Sequence, residues 1–403
     1  MRKFFLKNSV LYYLVIVLVL GFLFLSNDFG VTDVQKTAIV MAAGIDRQED
    51  TFIVTSQVAI PQSSKQGQAS KTVQIVSRGK TVGEAFEEIN AKTGWYPKLV
   101  FCDLVLLGES AKTKDVFDAL DFFLRDEYLS DDCKIAVCEG TAKDLLNTTA
   151  LVDPSSSTAM KKVLSSHAER VGTVLPNTLR EFAIGYFSES KSGYLPILTT
   201  EPQQEKIGKN DSIPSQPNKT QEGEQSNDSQ PLQDKPVFSA RETALFVHGR
   251  WVDTLDSKET FALACVLSKL RLASYTIEEN TTACTLNIRR NSPSAKLQPS
   301  DSGFFNLKVD LTLTAGMLDY AASQPIDKIG DAGDVPNNFF ALAERKLSGE
   351  IEGVYEKCRA VNCDLFGVRE RLTKYAKRRF RDQKDTALAN TRIAVSVRFK
   401  NVR

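Results

Sequence analysis

The sequence predicts an α+β, mixed α/β fold in several domains, held outside the cytoplasm behind a single N-terminal transmembrane helix. Three observations predict it: an unbroken apolar run at Val10–Leu25, alternating strand and helix patterns over residues 38–139, and a polar stretch at 201–236 with very few apolar side chains. They divide the 403 residues into a basic N-terminus (1–9), a membrane anchor (10–26), an N-terminal region (33–200), a disordered linker (201–236) and a C-terminal domain (237–403).

The apolar run follows Arg2, Lys3 and Lys7 and predicts where the protein resides. Its sixteen residues, rising about 1.5 Å each, span about 24 Å of a hydrocarbon core about 30 Å thick. A cleaved signal peptide would need a shorter core and small residues before the cleavage point, and a buried core helix would normally have a polar face. We therefore expect an uncleaved anchor, with the N-terminus in the cytoplasm and the bulk of the chain extracytoplasmic.

The N-terminal region opens with two apolar strands joined by a short polar turn, which predict a hairpin. Thr81–Glu84 has the pattern of a capping box, and the nearly continuous apolar run Leu99–Leu107 indicates a central strand. The predicted strands are Ala38–Gly44, Phe52–Ile60, Thr72–Ser77, Leu99–Leu107, Lys134–Glu139 and Gly193–Leu198. The predicted helices are Val82–Lys92, Thr113–Leu124, Thr141–Asn147, Ser157–Val171 and Pro176–Ser188. Strands and helices in alternation indicate mixed α/β layers.

Residues 201–236 cannot bury enough apolar surface to offset the entropy cost of ordering, so we expect a disordered linker or insert. The C-terminal domain then returns to strand and helix patterns. Its predicted strands are those around the turn in Thr243–Val252, then Ala283–Ile288, Phe304–Thr314 and Arg392–Phe399. Its predicted helices are Ser257–Lys269, Asn338–Cys358 and Leu365–Arg381.

The composition argues against several classes of function. A net charge of +1 gives no reason to expect nucleic-acid binding, and seven cysteines without any CxxC give little support to a disulfide framework or a zinc site. His167 and His248 have no partner at ligand spacing, and the carboxylate pairs Asp126-Glu127 and Asp131-Asp132 bracket an expected turn. We therefore predict no catalytic, cofactor-binding or metal-binding residues, and no cofactor.

One local charge feature stands out, the basic stretch around 369–384. It contains Arg369, Arg371, Lys374, Lys377, Arg378, Arg379, Arg381 and Lys384. A solvated helix face is the simpler interpretation. A contact with anionic lipid is the functional alternative, and it requires these side chains to lie within a Debye length of a bilayer.

Several sequence motifs follow one another along the chain in an order that is typical of one protein family. AIVMAAGID is followed by a strand ending in QVAIP, then RGKTVGEAFEEI, KLVFCDLVLLGESAK and LRDEYLSDDCKIAVCEGTAKDLL, and later TALFVHGRWVDTLDSKET, NCDLFGVRERL and RIAVSVRF. In this order the sequence resembles the Ger(x)C family of spore germination proteins, the C subunits of germinant receptors. Met41–Asp46 corresponds to the family's "LGIGID", and Asp364–Gly367 to the turn after the long C-terminal helix.

The resemblance covers the chain from about Asp33 to its C-terminus and implies a mixed α/β fold on the outer face of the spore inner membrane. It also implies two integral-membrane partners, the A-type and B-type receptor subunits. The sequence departs from the family in having no cysteine before Cys102, which excludes the usual lipidated lipobox cysteine. The segment Val10–Leu25 would then supply the anchor.

We therefore expect a non-enzymatic, membrane-anchored subunit of a nutrient-germinant receptor that acts through protein–protein contacts. Two alternatives belong to other classes. One is an envelope scaffold or small-ligand-binding module unrelated to germination. The other is an envelope enzyme, which would require convergent carboxylates or a nucleophile–base pair.

Overall fold

A computed structural model of the protein describes residues 2–25, 37–59, 72–150, 153, 155–165, 172–201, 237–279, 282–300, 304–321, 335–375 and 383–402. It divides into two compact units, Met1–Thr37 and Ala38–Arg403. The predicted linker apart from Glu201, His167, and residues 376–382 of the basic stretch lie outside the described residues.

The first unit is helix α1, Arg2–Leu25. Its described side chains from Leu11 to Phe22 are exposed, apart from the partly exposed Gly21. Across the part of the chain that the structure describes, no helix has both the length and the hydropathy needed to cross a bilayer. The predicted anchor at 10–26 is therefore not confirmed.

The second unit is a mixed α+β fold whose described strands form two sheets. The larger sheet has ten strands, with the main order β10-β9-β8-β6-β5-β1-β2-β3 and with β4 and β7 paired to β1 and β6. Its strands are β1 (Thr37–Gln48), β2 (Thr51–Ala59), β3 (Thr72–Gly79), β4 (Tyr96–Lys98), β5 (Leu104–Leu107), β6 (Lys134–Cys138), β7 (Asn177–Thr178), β8 (Ser192–Glu201), β9 (Val237–Val247) and β10 (Arg250–Leu255). At its centre β1, β5, β6 and β8 run parallel.

Helices cover both faces of the larger sheet. Helices α2 (Val82–Thr93), α3 (Phe117–Arg125) and α6 (Leu179–Phe187) contribute to one apolar cluster with it, and α4 (Ala142–Asn147) and α5 (Ser156–Val163) to another. A central sheet between two helical layers explains why β5 is fully buried along its length. Strands β8 and β9 pair across the predicted linker, so residues on both sides of it build the same sheet.

The smaller sheet has the order β11-β12-β13-β14, with β11 (Ala273–Glu279), β12 (Thr282–Pro299), β13 (Phe305–Ala321) and β14 (Thr391–Asn401). Helices α7 (Ser257–Val266), α8 (Asn337–Ala360) and α9 (Val368–Tyr375) complete this half. Its core includes α7 and α8 and also Tyr194, Leu245 and Leu255 from the larger sheet. The two sheets therefore share one apolar core at their junction.

Several sequence predictions are confirmed. β1 and β2 form the expected hairpin, and Val82, Ala85, Phe86 and Ile89 are the buried residues of α2. The alternating residues Leu307, Val309, Leu311 and Leu313 of β13 are all buried. Thr81 caps α2 by accepting the Glu84 N–H, but the Glu84 carboxylate accepts the Lys80 N–H rather than that of Thr81.

Several predicted boundaries are wrong. The helix predicted at Thr113–Leu124 begins at Phe117, the helix predicted at Ser157–Val171 ends at Val163, and two further errors have an evident cause. The strand predicted at Leu99–Leu107 begins at Leu104, because a turn closed by the Cys102 N–H on the Leu99 carbonyl precedes it. The helix predicted from Pro176 begins at Leu179, because residues 177–178 pair with β6 and the Thr178 hydroxyl caps the helix. In the first of these two cases a local turn interrupts the apolar pattern, and in the second a sheet contact far along the chain overrides it.

Candidate functional site

The histidine His248 and the carboxylates that the sequence offers for catalysis lie in turns of the fold. In the described ranges no group of three or more His, Cys, Asp or Glu residues could hold a metal ion. His248 is exposed at the β9–β10 turn, with a left-handed φ of 49°. Asp126 accepts the N–H groups of Tyr128 and Leu129, and Asp131 pairs with Arg180 at 3.2 Å. These carboxylates hold the turn that the sequence predicts there.

All seven cysteines are free and buried. Burial raises the pKa of Cys138 and of Cys265, and a hydrogen bond with the neighbouring Cys102 raises that of Cys133. A thiol held protonated is a weak nucleophile. These cysteines therefore act as small buried side chains, as their apolar sequence context predicts.

Asp46, in the segment that matches "LGIGID", joins β1 to α4. Its carboxylate accepts the Ala142 N–H at 2.7 Å and the Lys143 N–H at 3.1 Å. Burial raises the pKa of Asp46 and is opposed by these two N–H groups. Gly108 leaves the room for this contact, because a Cβ there would overlap Asp46 Oδ1.

The position of this carboxylate has a chemical consequence. It lies at the carboxyl ends of β1, β5 and β6, where open α/β sheets commonly bind ligands. The N-terminus of α4 at that place would attract an anion, and Asp46 already supplies one from within the chain. The usual ligand-binding end of the sheet is therefore used for internal stabilisation.

The turn Asp364–Gly367 joins the two sheets. Asp364 is 2% exposed, and its carboxylate accepts the N–H groups of Val368 at 2.9 Å and Arg369 at 2.7 Å at the start of α9. Its own N–H donates to Ser192 Oγ on β8 at 2.9 Å. Gly367 adopts a left-handed φ of 69°. This turn therefore fixes α9 relative to the larger sheet.

Two concave regions lie next to that turn. A cavity of about 260 Å³ lies between β8 and the turn, and its lining includes Ser192, Asp364 and the ion pair of Lys269 with Glu181. A groove of about 880 Å³ runs between the end of β12 and α9. The larger of the two is lined by Pro299 and by the basic side chains of Arg371 and Lys374.

The basic stretch is only partly available for external contacts. Arg369 is buried and bonds to Asn362, while Arg371 donates to the carbonyl of Gly367 at 3.0 Å. Lys384 pairs with Glu189. Three of the eight basic residues therefore stabilise the fold, and the contact of this stretch with anionic lipid stays a prediction.

The sequence reading missed an exposed apolar surface. Five exposed side chains lie in segments at the amino ends of the parallel strands, and we call this set the amino-end surface. They are Trp95, Tyr96, Val100, Phe101 and Tyr128, all of them exposed. The sequence pattern predicts Val100 and Phe101 within a buried strand. The segment WYPKLVFCD has few polar or turn-forming residues, so its sequence gives little indication of a surface position. Only the turn that precedes β5 in the structure reveals this surface.

Comparisons with known proteins agree with the order of the motifs. One family model, described as spore germination protein N-terminal domain, matches residues 30–200, and another, described as spore germination B3/GerAC like, C-terminal, matches residues 241–403. No curated protein matches the sequence significantly. The crystal structure of the GerBC protein is similar, with a TM-score of 0.53 and 15% identity over 90% of this chain and 97% of that chain. At that identity the likeness shows the fold alone.

Proposed function

The chain belongs to the Ger(x)C family of spore germination proteins, and on that premise we propose that it is a non-enzymatic, membrane-anchored subunit of a spore nutrient-germinant receptor. The observation that carries the proposal is the match of two germination-protein models, in order, to residues 30–200 and 241–403. Family membership gives the chain a role in spore germination. Membership of a receptor complex and anchoring in the membrane are the parts that we propose.

Two structural observations support action through contacts rather than chemistry. Asp46 and Asp364, the carboxylates in the two segments that resemble family motifs, both accept backbone N–H groups of their own chain. These hydrogen bonds hold the first turns of α4 and α9 in place. The partners that we propose are the A-type and B-type integral-membrane subunits, and the anchor is the apolar run within α1.

The anchor would hold the second unit on the outer face of the spore inner membrane. The basic residues Arg2, Lys3 and Lys7 precede the apolar run, and such a bias retains the N-terminus in the cytoplasm. No cysteine precedes Cys102 in the sequence, so we propose the apolar run within α1 as the anchor in place of a lipidated cysteine.

The proposal is tested by germination of spores that lack this chain. Several amino-acid and sugar germinants are compared with a non-nutrient trigger, and expression of the wild-type chain in the same spores serves as the control. We expect loss of one nutrient response with the non-nutrient response intact. Wild-type germination under every condition, also after related receptor subunits are deleted together, would favour an envelope module instead.

A further inference from the structure

The amino-end surface is assembled by the topology of the larger sheet. The segment 99–103 precedes β5, and its Asp103 N–H bonds to Met41 of β1 at 3.1 Å. The Asp103 carbonyl in turn accepts the N–H of Lys134 at the start of β6. Since β1, β5 and β6 are parallel, these segments lie at one end of the sheet.

Strand β4 and the turn before β6 complete this surface. β4, which carries Tyr96, pairs with β1, and only five residues separate it from β5, so it lies at the same end. Lys98 of β4 lies over the ring of Tyr128 at 4.5 Å, which brings the two segments together. Trp95, 38% exposed, and Phe101, 56% exposed, extend the apolar area on either side of β4.

The chain also enters the second unit at this end of the sheet. β1 begins at Thr37, and eleven residues (26–36) separate it from the last residue of α1. An extended chain of that length reaches at most about 40 Å. The residues that follow the proposed anchor therefore join β1 at the end of the sheet that carries the exposed aromatic side chains.

The composition of the surface fits one kind of occupant. Tryptophan and tyrosine favour the boundary between water and hydrocarbon in a bilayer, and lysine extends to the headgroups there. Charges of both signs surround the surface, with Asp103 paired to Lys161 and Asp131 to Arg180. An apolar contact that does not depend on anionic lipid follows from this balance.

We propose that the amino-end surface lies in the headgroup region of the bilayer and orients the second unit on the membrane. This inference rests on the proposed anchor. It assigns the lipid contact to Trp95, Tyr96, Val100, Phe101 and Tyr128 rather than to the basic stretch around 369–384.

Trp95 provides an intrinsic probe, because the only other tryptophan, Trp251, is 7% exposed. The full-length protein is reconstituted into phosphatidylcholine vesicles with and without bromine on the lipid chains near the headgroups. Trp251→Phe isolates Trp95, and Trp95→Phe isolates Trp251 as the buried reference. The difference between wild type and Trp95→Phe gives the Trp95 signal even if Trp251→Phe fails to fold.

We expect brominated lipid to quench Trp95 and not Trp251. The quenching should persist at high salt and should not require anionic lipid. Phe101→Ser with Val100→Ser should reduce it, whereas Ile184→Ser with Phe187→Ser, exposed positions on α6, should leave it unchanged.

Absence of Trp95 quenching would overturn the inference and assign the surface to a protein partner. Quenching that requires anionic lipid and disappears at high salt would also overturn it, in favour of contact through the basic stretch. Alkaline extraction of the same vesicles tests the anchor separately, because it releases proteins that do not span the bilayer. The two readouts therefore distinguish a failed surface from a failed anchor.

Discussion

The two ends of the larger sheet differ in how their side chains are satisfied. At the carboxyl end, Asp46 bonds to the start of α4, and Arg47 pairs with Asp118 of α3 at 2.9 Å. At the amino end, Phe101 and Tyr96 remain exposed to water. Side chains at the carboxyl end bond to other parts of the chain. Apolar side chains at the amino end remain exposed, without a partner among the described residues.

The carboxyl end therefore contributes mainly to stability, and we propose that the amino end serves contacts with the surroundings. Substitutions at the carboxyl end should lower the free energy of unfolding, because each removes a contact within the chain or the space that the contact needs. Substitutions at the amino end should leave stability almost unchanged and alter contacts with the surroundings. Five predictions follow: one pH dependence at Asp46 and four substitutions, which run from the largest effect on stability to the smallest.

Asp46→Ala should have the largest effect. It leaves the N–H groups of Ala142 and Lys143 without their acceptor, and we expect a loss of about 3 kcal/mol in the free energy of unfolding. Urea denaturation of the full chain measures it. Asp46→Asn is the matched control, because it keeps one acceptor oxygen and should lose clearly less. An alanine variant as stable as wild type would show that this contact contributes nothing.

Asp46 also gives a pH dependence with a defined sign. Burial raises its pKa above the ordinary value of 3.8, so the folded protein binds its proton more tightly than the unfolded chain does. The stability from this protonation is present below 3.8 and is lost as pH rises through the folded pKa. The stability difference between wild type and Asp46→Asn should therefore grow in favour of wild type as pH is lowered toward 4. A difference that shrinks instead would contradict this direction.

Gly108→Ala should have the next largest effect. Its Cβ would overlap Asp46 Oδ1 and approach Ala142 N within 3.3 Å, and such overpacking costs about 2 kcal/mol. Gly349→Ala, inside α8, is the control: nothing lies near a Cβ there, so we expect no loss, and a gain of up to about 1 kcal/mol from helix propensity. Equal stability of both alanine variants and the wild type would contradict the close packing at Gly108.

Asp118→Ala should have a small effect. It removes the ion pair with Arg47, whose partner carboxylate is more than half exposed, and such pairs contribute about 0.5 kcal/mol. Because screening by salt weakens exposed pairs, the loss should diminish when urea denaturation is repeated at high salt. A salt-independent loss would indicate that packing of α3, rather than charge, is disturbed.

Phe101→Ser should have the smallest effect on stability. The side chain is 56% exposed, and surface substitutions usually change stability by less than about 0.5 kcal/mol. Phe86→Ser provides the opposite case, because Phe86 is buried in the core of the same sheet and stacks on Phe122. A large loss of stability in Phe101→Ser would mean that this residue belongs to the core.

Sequence patterns predict the elements whose neighbours are local or regular. The alternation in β13 and the apolar stripe of α2 follow directly from residue spacing. The bond from Asp364 to Ser192 joins residues 172 positions apart, and no pattern in one sequence indicates such a pairing.

The amino-end surface is the clearest example of what spacing alone misses. Val100 and Phe101 look like part of the apolar strand that follows, and their exposure depends on the turn at Leu99–Cys102 and on the pairing of β4 with β1. A run of apolar residues has the same pattern whether it lies in a sheet or on a surface. Position relative to the sheet distinguishes the two.

The proposed role of the amino-end surface is tested by germination of spores in which the chain carries Tyr96→Ser with Phe101→Ser, compared with spores carrying Ile184→Ser with Phe187→Ser. Immunoblots of the inner-membrane fraction establish that both variants are present at the wild-type level. We predict that the first pair of substitutions abolishes or slows the nutrient response while the second pair and the non-nutrient response remain normal. Equal nutrient germination in both strains, at equal protein levels, would contradict a role of the amino-end surface in germination.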